Sequence, residues 1–379
     1  MKKIKIKYDF QIFNSQKYGG ISKYFVYLYI NIKNLGLNPN IVVPIYRNKY
    51  LSNLNRNNYF NFYLNTENQF INRILKVVSF LFDFIHSKFH KYDIVHKTYF
   101  ASKINLFGFQ FLLSSFSSAK SKNVITFYDM SYLLFPKLLK NSKNIVALQK
   151  EQCAKADLII SISESTKNDL IKYFNIDQNK IKVIHLGVDQ EVFFKANNEY
   201  CVHYNNFILY VGSRDGYKNF DNFLRSFSNL KAHNINLVVF GGSNFNIKEI
   251  NLINSLNILE KVFYLDGDEK LLAKLYNSAK MFVYPSLYEG FGLPILEAMS
   301  CGCPVIAGKN SSIVEVAGNA AKLIDTNDTE VLTNSMDEIL ENDELKLSLI
   351  NLGLKRSKQF SWEKCALDTI EAYERLLAK

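Results

Sequence analysis

Two glutamates, Glu289 and Glu297, stand on either side of Gly290-Phe291-Gly292-Leu293-Pro294, shortly before the apolar run Pro304-Val305-Ile306. The glycines Gly290 and Gly292 would let the backbone approach a ligand closely. Pro294 suits the first turn of a helix. The amides of Leu293 and Ile295 would then point out of a helix N-terminus, where an anion is favoured. Glu289 lies before the loop and Glu297 one turn inside the helix, so both can face one pocket. Carboxylates repel an anion but accept strong hydrogen bonds from hydroxyls. A ligand with a central anion and hydroxyls on both sides, such as a nucleotide sugar, fits that set. Taken singly, Glu289 reads as a solvated loop charge and Glu297 as an exposed helix residue; the combination reads as a site.

Three further stretches carry charge or amides at strand ends. In Val211-Gly212-Ser213-Arg214-Asp215-Gly216-Tyr217-Lys218, Arg214 and Lys218 flank a turn into a helix and could neutralise a diphosphate as it leaves. Surface turn charges are the simpler reading. Lys17-Tyr18-Gly19-Gly20-Ile21-Ser22 places a glycine pair between strand and helix, again rich in amides, yet neither G-x-G-x-x-G nor a P-loop occurs. Asp266-Gly267-Asp268 could hold a divalent metal on a diphosphate. A strand-to-helix turn, with Asp268 and Glu269 in the next first turn, is preferred, because Arg214 and Lys218 already offer positive charge. No metal and no cofactor are expected. The cysteines, Cys153, Cys201, Cys301, Cys303 and Cys365, are odd in number and lack C-x-x-C spacing, which suggests reduced thiols and no zinc site.

The elements that position these residues alternate strand and helix. With 379 residues, 48% of them hydrophobic, two cores are expected. In the first half, strands are expected at Lys3–Tyr8, Asn40–Pro44, Asp93–His96, Asn123–Phe127, Asp157–Ser163 and Lys182–Asp189. Gln11–Gly20 reads as a polar loop, followed by a helix from Ile21. Residues 47–92 mix lysines and aromatics without clear period, and the Asn-rich 52–69 reads as loop. Ser163–Thr166 opens a helix with capping hydroxyls. In the second half, strands are expected at Phe207–Val211, Leu237–Phe240, Val262–Leu265, Met281–Tyr284 and Pro304–Ala307, with helices at Asn219–Leu230, 246–258, 269–279 and Ile295–Met299. The alternation predicts an α/β protein of two Rossmann-like domains, 1–190 and 206–360, joined by a polar linker at 191–205 and followed by an amphipathic helix within 361–379. Ligands would bind at strand carboxyl ends, in the cleft between the domains.

Charge divides unevenly: residues 1–195 hold 28 Lys/Arg against 12 Asp/Glu, and the remainder 18 against 23. The basic first half suggests a polyanionic partner, with anionic membrane preferred over nucleic acid. No stretch approaches the roughly 20 apolar residues of a membrane helix. The alternating Met1–Lys7 is unlike a signal peptide. A cytoplasmic protein, peripheral on the membrane's inner face, is expected.

These stretches together resemble glycosyltransferase family 4 of the GT-B fold, over nearly the whole chain. The E-x7-E spacing of Glu289 and Glu297 within EGFGLPILEAMSCGCPVI is the most specific feature. QKYGGISKYF (16–25), YDIVHKTYF (92–100), ITFYDMSYLLFP (125–136) and ADLIISISESTKNDL (156–170) resemble a bacterial subgroup that builds O-antigen and capsule polysaccharide. Ser361-Trp362 and the final helix resemble the family's segment that crosses back to the first domain. The resemblance implies a retaining, metal-independent transfer of a hexose from a nucleotide-diphosphate sugar to a lipid-linked or polysaccharide acceptor. It implies that Glu297 takes the ribose hydroxyls, Glu289 the donor sugar, and Arg214 and Lys218 the diphosphate. Gly20 and Gly212 would flank the phosphates, the amides of Phe291, Gly292 and Leu293 would contact sugar and phosphate, and Leu265 would lie near the base. Gly19, His96, Asp129 and Ser163 are candidate acceptor or cleft residues. Many members have His-Asp where this chain has Tyr128-Asp129. A phenol with a reference pKa of about 10 is no base at neutral pH, so Tyr128 is expected to position rather than to abstract a proton. Two other readings are a GT-B nucleotide-sugar epimerase and a catalytically weak nucleotide-sugar-binding subunit.

Overall fold

Short apolar runs between polar boundaries have too few polar side chains to face water on either side, so they form strands covered on both faces. A computed structural model describes residues 4–54, 62–100, 102–106, 109–113, 115–196 and 206–378. In it these runs assemble into two six-stranded sheets, parallel throughout. The first runs, from one edge, Ile181–Val183, Leu158–Ser161, Lys122–Phe127, Ile94–Lys97, Ile6–Tyr8, Asn40–Ile41. The second runs Val262–Leu265, Asn236–Phe240, Phe207–Val211, Met281–Tyr284, Val305–Gly308, Lys322–Ile324. In both, sequence order reverses beside the first strand of the sheet. Those two reversals, at Ile6–Tyr8/Ile94–Lys97 and Phe207–Val211/Met281–Tyr284, are where doubly wound sheets open a crevice for ligands.

Three departures from the sequence expectation have physical causes. The stretch Gln11–Gly20 is not all loop: Gln11–Ser15 is a short helix whose first four residues are buried. The next helix, Gly20–Asn34, starts at the second glycine. Within 47–92 lies a 21-residue helix, Gln69–Phe89, capped by the Asn68 side chain on the Phe70 and Ile71 amides. Its polar residues Asn72, Lys76, Ser79, Asp83 and His86 recur every three or four positions, but Ser79, Asp83 and His86 are buried and the apolar side is exposed, the reverse of the usual pattern. Cys201 and most of the linker lie outside the described residues, as does part of the Asn-rich loop. Cys153, Cys301, Cys303 and Cys365 are free and buried.

The C-terminal helix, Trp362–Leu377, lies on the first domain's helix Gly20–Asn34. Ser361 bridges to Val188, and the Trp362 indole stacks on Tyr27 at 5.1 Å. A Cβ on Gly187 would overlap the Trp362 backbone, so only glycine allows the two chain segments to pass. One apolar cluster joins Ile6, Tyr8 and Phe25 of the first half, Phe207, Leu209 and Phe282 of the second, and Trp362 and Tyr373 of the tail.

His96 belongs to this framework and not to the cleft, which corrects the candidate role above. It is fully buried, with Nδ1 2.6 Å from the Tyr373 hydroxyl and Nε2 2.8 Å from Thr126 Oγ1. Burial lowers its pKa to about 3, against an ordinary 6.5. The unfolded chain therefore binds a proton that the folded chain refuses between those values, and His96 makes stability rise with pH across that window. In urea titrations of wild type and His96→Gln, the advantage of wild type should shrink steadily from pH 6.5 downward. An advantage independent of pH would show that His96 is not held neutral.

Candidate active site

The second sheet's reversal point gathers the loops that carry the sequence candidates. Strand Phe207–Val211 ends in Gly212, whose φ of +124° is strained for any residue with a side chain. A Cβ built there meets nothing within 4 Å. The Gly212 amide bonds the Phe240 carbonyl at 3.0 Å and the Gly241 amide bonds the Leu265 carbonyl at 3.0 Å. Leu265, half-buried, thus ends its strand beside the turn next to Gly212. The short 3-10 turn Gly216–Lys218 follows, then the helix Phe220–Ser228.

On the neighbouring strand, Met281–Tyr284 leads into Pro285–Gly292 and the helix Leu293–Ser300, with Gly292 at φ +106° before its first turn and Pro294 within that turn. The loop is braced from behind. Ser311 Oγ accepts the Glu289 amide at 2.9 Å, and Ser312 Oγ donates to the carbonyls of Glu289 at 2.8 Å and Phe291 at 3.1 Å. The Phe291 ring is buried, 5.9 Å from the rings of both His185 and Phe360.

Lys218 Nζ meets Glu289 Oε1 at 2.7 Å and so ties the two loops across the reversal point. Burial works against the ammonium, but Glu289, with Tyr217 and Asp129 adding to it, holds the Lys218 pKa above its ordinary value. Arg214 differs from expectation. Its Nε lies 2.7 Å from Glu249 Oε1, Nη2 reaches Glu249 Oε2 at 3.4 Å and the Asn244 carbonyl at 3.2 Å, and Nη1 reaches the Gly241 carbonyl at 3.3 Å. The rings of Phe245 and Phe220 lie 5.1 and 5.7 Å from the guanidinium, and the side chain is 4% exposed. Glu249 is also half of the capping box that starts the helix Ile247–Ser255. Arg214 therefore binds two loops of its own domain together, and its donors already have protein partners. Lys218 is the cation placed beside Glu289. Asp268 accepts the Leu271 amide and Asp266 the Gly267 amide, each at 2.9 Å, which is the turn reading of that motif.

Glu297 has a partner that sequence spacing did not reveal. Lys23 Nζ, from the first domain's helix, lies 3.1 Å from Glu297 Oε1 and 2.8 Å from Glu269 Oε1. Tyr50, also of the first domain, donates to Glu269 at 3.3 Å. The Lys23 and Glu297 side chains are 7% and 9% exposed. Burial disfavours the Lys23 charge, yet Glu297 and Glu269 more than compensate and raise its pKa. Burial raises Glu297, with Lys23 opposing. The only sequence signal was position: Lys23 lies one turn after Gly19-Gly20, on the helix those glycines start. Gly20 has open space where a Cβ would stand, whereas a Cβ on Gly19 would strike the Gln16 side chain, which itself accepts the Ser22 amide at 3.2 Å.

The opposite rim of the cleft is closed by backbone. A Cβ on Gly290 would overlap the Tyr128 carbonyl and crowd the Asp129 side chain. Ser163 Oγ donates to the Gly290 carbonyl at 2.8 Å and accepts the Thr166 amide at 3.0 Å as the helix cap. Tyr288 Oη donates to Asp169 at 2.7 Å and accepts the Met130 amide at 3.0 Å. Glu315 accepts the Glu164 amide at the N-terminus of the helix Glu164–Phe174 and pairs with His185 at 2.6 Å. Gly290 thus serves the approach of the other domain, and the expected ligand approach falls to Gly292 and Gly212. Ser163 is a cap and a clasp. Asp129 turns back onto the Ser131 amide and hydroxyl, its structural reading. Tyr128 packs edge-on against Tyr24 at 6.0 Å, and burial drives its phenol pKa far up, so it titrates nowhere near neutral pH.

Comparison with known proteins decides the family. The family description "Glycosyltransferase Family 4" matches residues 18–192, and "Glycosyl transferases group 1" matches 196–356. A curated relative, the O-antigen chain mannosyltransferase B of Escherichia coli, is 30% identical over 67% of this chain and 70% of its own length. The chain belongs to glycosyltransferase family 4. A second relative, a Campylobacter jejuni N-acetylgalactosaminyltransferase acting on a diphospho-undecaprenol-linked sugar, is 29% identical over 57% of this chain and 60% of its own. Sucrose-phosphate synthase from Thermosynechococcus elongatus superposes with a TM-score of 0.75 over 100% of both chains at 19% identity, which shows that this glycosyltransferase has the GT-B fold. Anabaena HepE, solved with UDP-glucose, gives a TM-score of 0.72 over 98% of this chain and 100% of its own at 16% identity.

Two outcomes follow from the geometry of this glycosyltransferase. Gly290→Ala cannot bring its loop against Tyr128, and misplacement of about 1 Å costs on the order of 100-fold in turnover. Activity should fall by about that factor while nucleotide affinity, measured by calorimetry, stays within roughly threefold. Full activity in Gly290→Ala would mean that the domains need not meet there. Lys23→Met leaves Glu297 and Glu269 without their shared cation and should lower stability by about 3 kcal/mol. Adding Glu269→Gln should recover part of that loss in a double-mutant cycle. Strict additivity in urea unfolding would show that Lys23 and Glu269 do not couple.

Proposed function

We propose that this glycosyltransferase moves a hexose from a nucleotide-diphosphate sugar to a lipid-linked or polysaccharide acceptor in surface-glycan synthesis, with retention of anomeric configuration and without a metal ion. The observation that carries the reading is the pairing of Glu289 with Lys218 and Glu297 with Lys23 around one helix N-terminus, at the sheet's reversal point. Lysines beside carboxylates give a strip of alternating charge. The ammonium groups suit the phosphates and the carboxylates suit the hydroxyls on either side. Lys218 would stabilise the departing diphosphate as its charge develops. Glu289 would hold the donor sugar and Glu297 the ribose, with the Gly292 and Leu293 amides on the phosphate side and Leu265 near the base. Gly20 would face the diphosphate from the first domain, where the space at its Cα is open.

No side-chain base is required when the leaving phosphate oxygen takes the acceptor proton as the acceptor attacks from the same face. Buried Tyr128 and enclosed His96 are consistent with that route. The E. coli relative's name supports a hexose and an O-antigen-type product, and the Campylobacter relative's name supports a diphospho-lipid acceptor. The basic first domain would rest on the anionic lipid that carries such an acceptor.

The test uses a panel of nucleotide-diphosphate hexoses, first by thermal shift and then in transfer assays with chelator present. One donor should stabilise the fold, and its product should keep the donor's anomeric configuration by NMR. Glu297→Ala should weaken nucleotide binding at least tenfold, about 1.4 kcal/mol, while Glu289→Ala should chiefly lower kcat. Unchanged nucleotide affinity in Glu297→Ala would remove the ribose assignment. Loss of activity with chelator would restore Asp266 and Asp268 as metal ligands, and an inverted product would sink the retaining mechanism.

A further inference from the structure

We propose that the helix Gln69–Phe89 is an interfacial membrane anchor that lies in the plane of an anionic bilayer and inserts its exposed apolar stripe among the acyl chains. This inference rests on the proposed lipid-linked acceptor only for its biological purpose; the surface itself stands on geometry.

The helix is 21 residues long, about 30 Å at 1.5 Å per residue. Its inner side is fixed: Leu75, Ser79, Asp83 and His86 are buried. Along another side, Ile71, Ile74, Val78, Leu81 and Ile85 follow one another at spacings of three and four, and all are exposed. Leu81 and Ile85 are 52% and 55% exposed, and Phe89 at the end is 79% exposed. Scattered apolar residues on a surface need no explanation, but a continuous stripe along a whole helix does.

The charges around the stripe select its partner. Arg73 and Lys88 are exposed on this helix, and His90 and Lys91 extend the basic end. The helix has one acid, Asp83, and it is buried against Lys7. Glu67, just before the helix, is paired with Lys17 at 2.9 Å and Arg47 at 3.4 Å. Each of these two acids is therefore paired with a cation. Apolar depth under a cationic rim matches a bilayer whose headgroups are anionic and whose interior is hydrocarbon. No helix of the described residues is long and apolar enough to cross a membrane, which leaves an in-plane position for this one.

The helix is also fastened to the cleft. Asn14 Nδ2 donates to Ser79 Oγ at 2.8 Å and to the Leu75 carbonyl at 3.4 Å. Asn14 belongs to the short helix that precedes Gly19-Gly20. The anchor's buried face and the segment that leads into the first domain's wall of the donor cleft thus share one support.

The experiment is sedimentation of the full chain with vesicles of phosphatidylcholine alone or with 30% phosphatidylglycerol, at low and high salt. Wild type should pellet with the anionic vesicles and keep a substantial part of that binding in high salt, because apolar insertion is not screened. Leu81→Ser/Ile85→Ser should weaken binding by about tenfold or more at both salt levels. Arg73→Ser/Lys88→Ser should weaken only the low-salt component. Both variants should keep the wild-type thermal midpoint and the wild-type rate of donor hydrolysis in vesicle-free solution. Wild-type binding that vanishes in high salt, or a stripe variant that binds as well as wild type, overturns the proposal. So does a concentration-dependent dimer that the stripe variant abolishes, since a second copy would then be the occupant. If vesicle binding behaves as expected but no nucleotide sugar is bound or hydrolysed, the anchor stands and the transferase reading fails.

Discussion

One ammonium, Lys23 Nζ, lies between two carboxylates from the other half of the chain, Glu297 at 3.1 Å and Glu269 at 2.8 Å. Lys23 and Glu297 are nearly removed from water and Glu269 partly so; apart they would be costly, and each makes the others tolerable. The contact holds the first domain's glycine-started helix over the second domain's E-x7-E helix. It also puts a cation and a carboxylate on the same spot of the cleft wall. Both halves of the site therefore depend on the domains meeting, and the pair contributes to that meeting.

The far rim meets through backbone and hydroxyl contacts, with carboxylates at its margin. Gly290 and Tyr128 meet backbone to backbone, and Ser163 spends its hydroxyl on the Gly290 carbonyl. Glu315 completes the rim by satisfying the first amides of the helix Glu164–Phe174 from across the cleft, a favourable place for negative charge. The glycines of the EGFGLP stretch thus divide their work. Gly290 admits the partner domain, and Gly292 takes the left-handed turn that starts a helix beside Glu289. A ligand-centred view of the motif assigns both to the ligand; packing separates them.

Arg214 teaches the reverse lesson. Its position after strand Phe207–Val211 and its charge made it a phosphate ligand by expectation. Glu249, thirty-five residues on, turns it into an internal brace. A guanidinium offers five donors in a rigid planar fork, which suits several carbonyls and a carboxylate spread across two loops, whereas an ammonium is a compact point charge. The chain uses each cation accordingly: the fork holds two loops in place, and the point charge stands beside Glu289.

Much of this protein was legible from residue order. Strands Phe207–Val211, Val262–Leu265 and Met281–Tyr284 fall on the expected residues, because a short apolar run between polar bounds can do little but enter a buried parallel sheet. The two-domain α/β architecture and the Glu289–Glu297 motif are local in sequence, so spacing alone reveals them. The helix Gln69–Phe89 was hidden because its contrast is inverted: polar Ser79, Asp83 and His86 are buried while apolar Leu81, Ile85 and Phe89 are exposed, the reverse of what a helix packed on a core shows. The roles of His96, Arg214, Lys23 and Gly290 were decided by tertiary structure alone. Lys23 and Glu297 are 274 positions apart. A side chain's freedom to meet a ligand depends on which partners the fold brings to it, and distance along the chain carries no record of that.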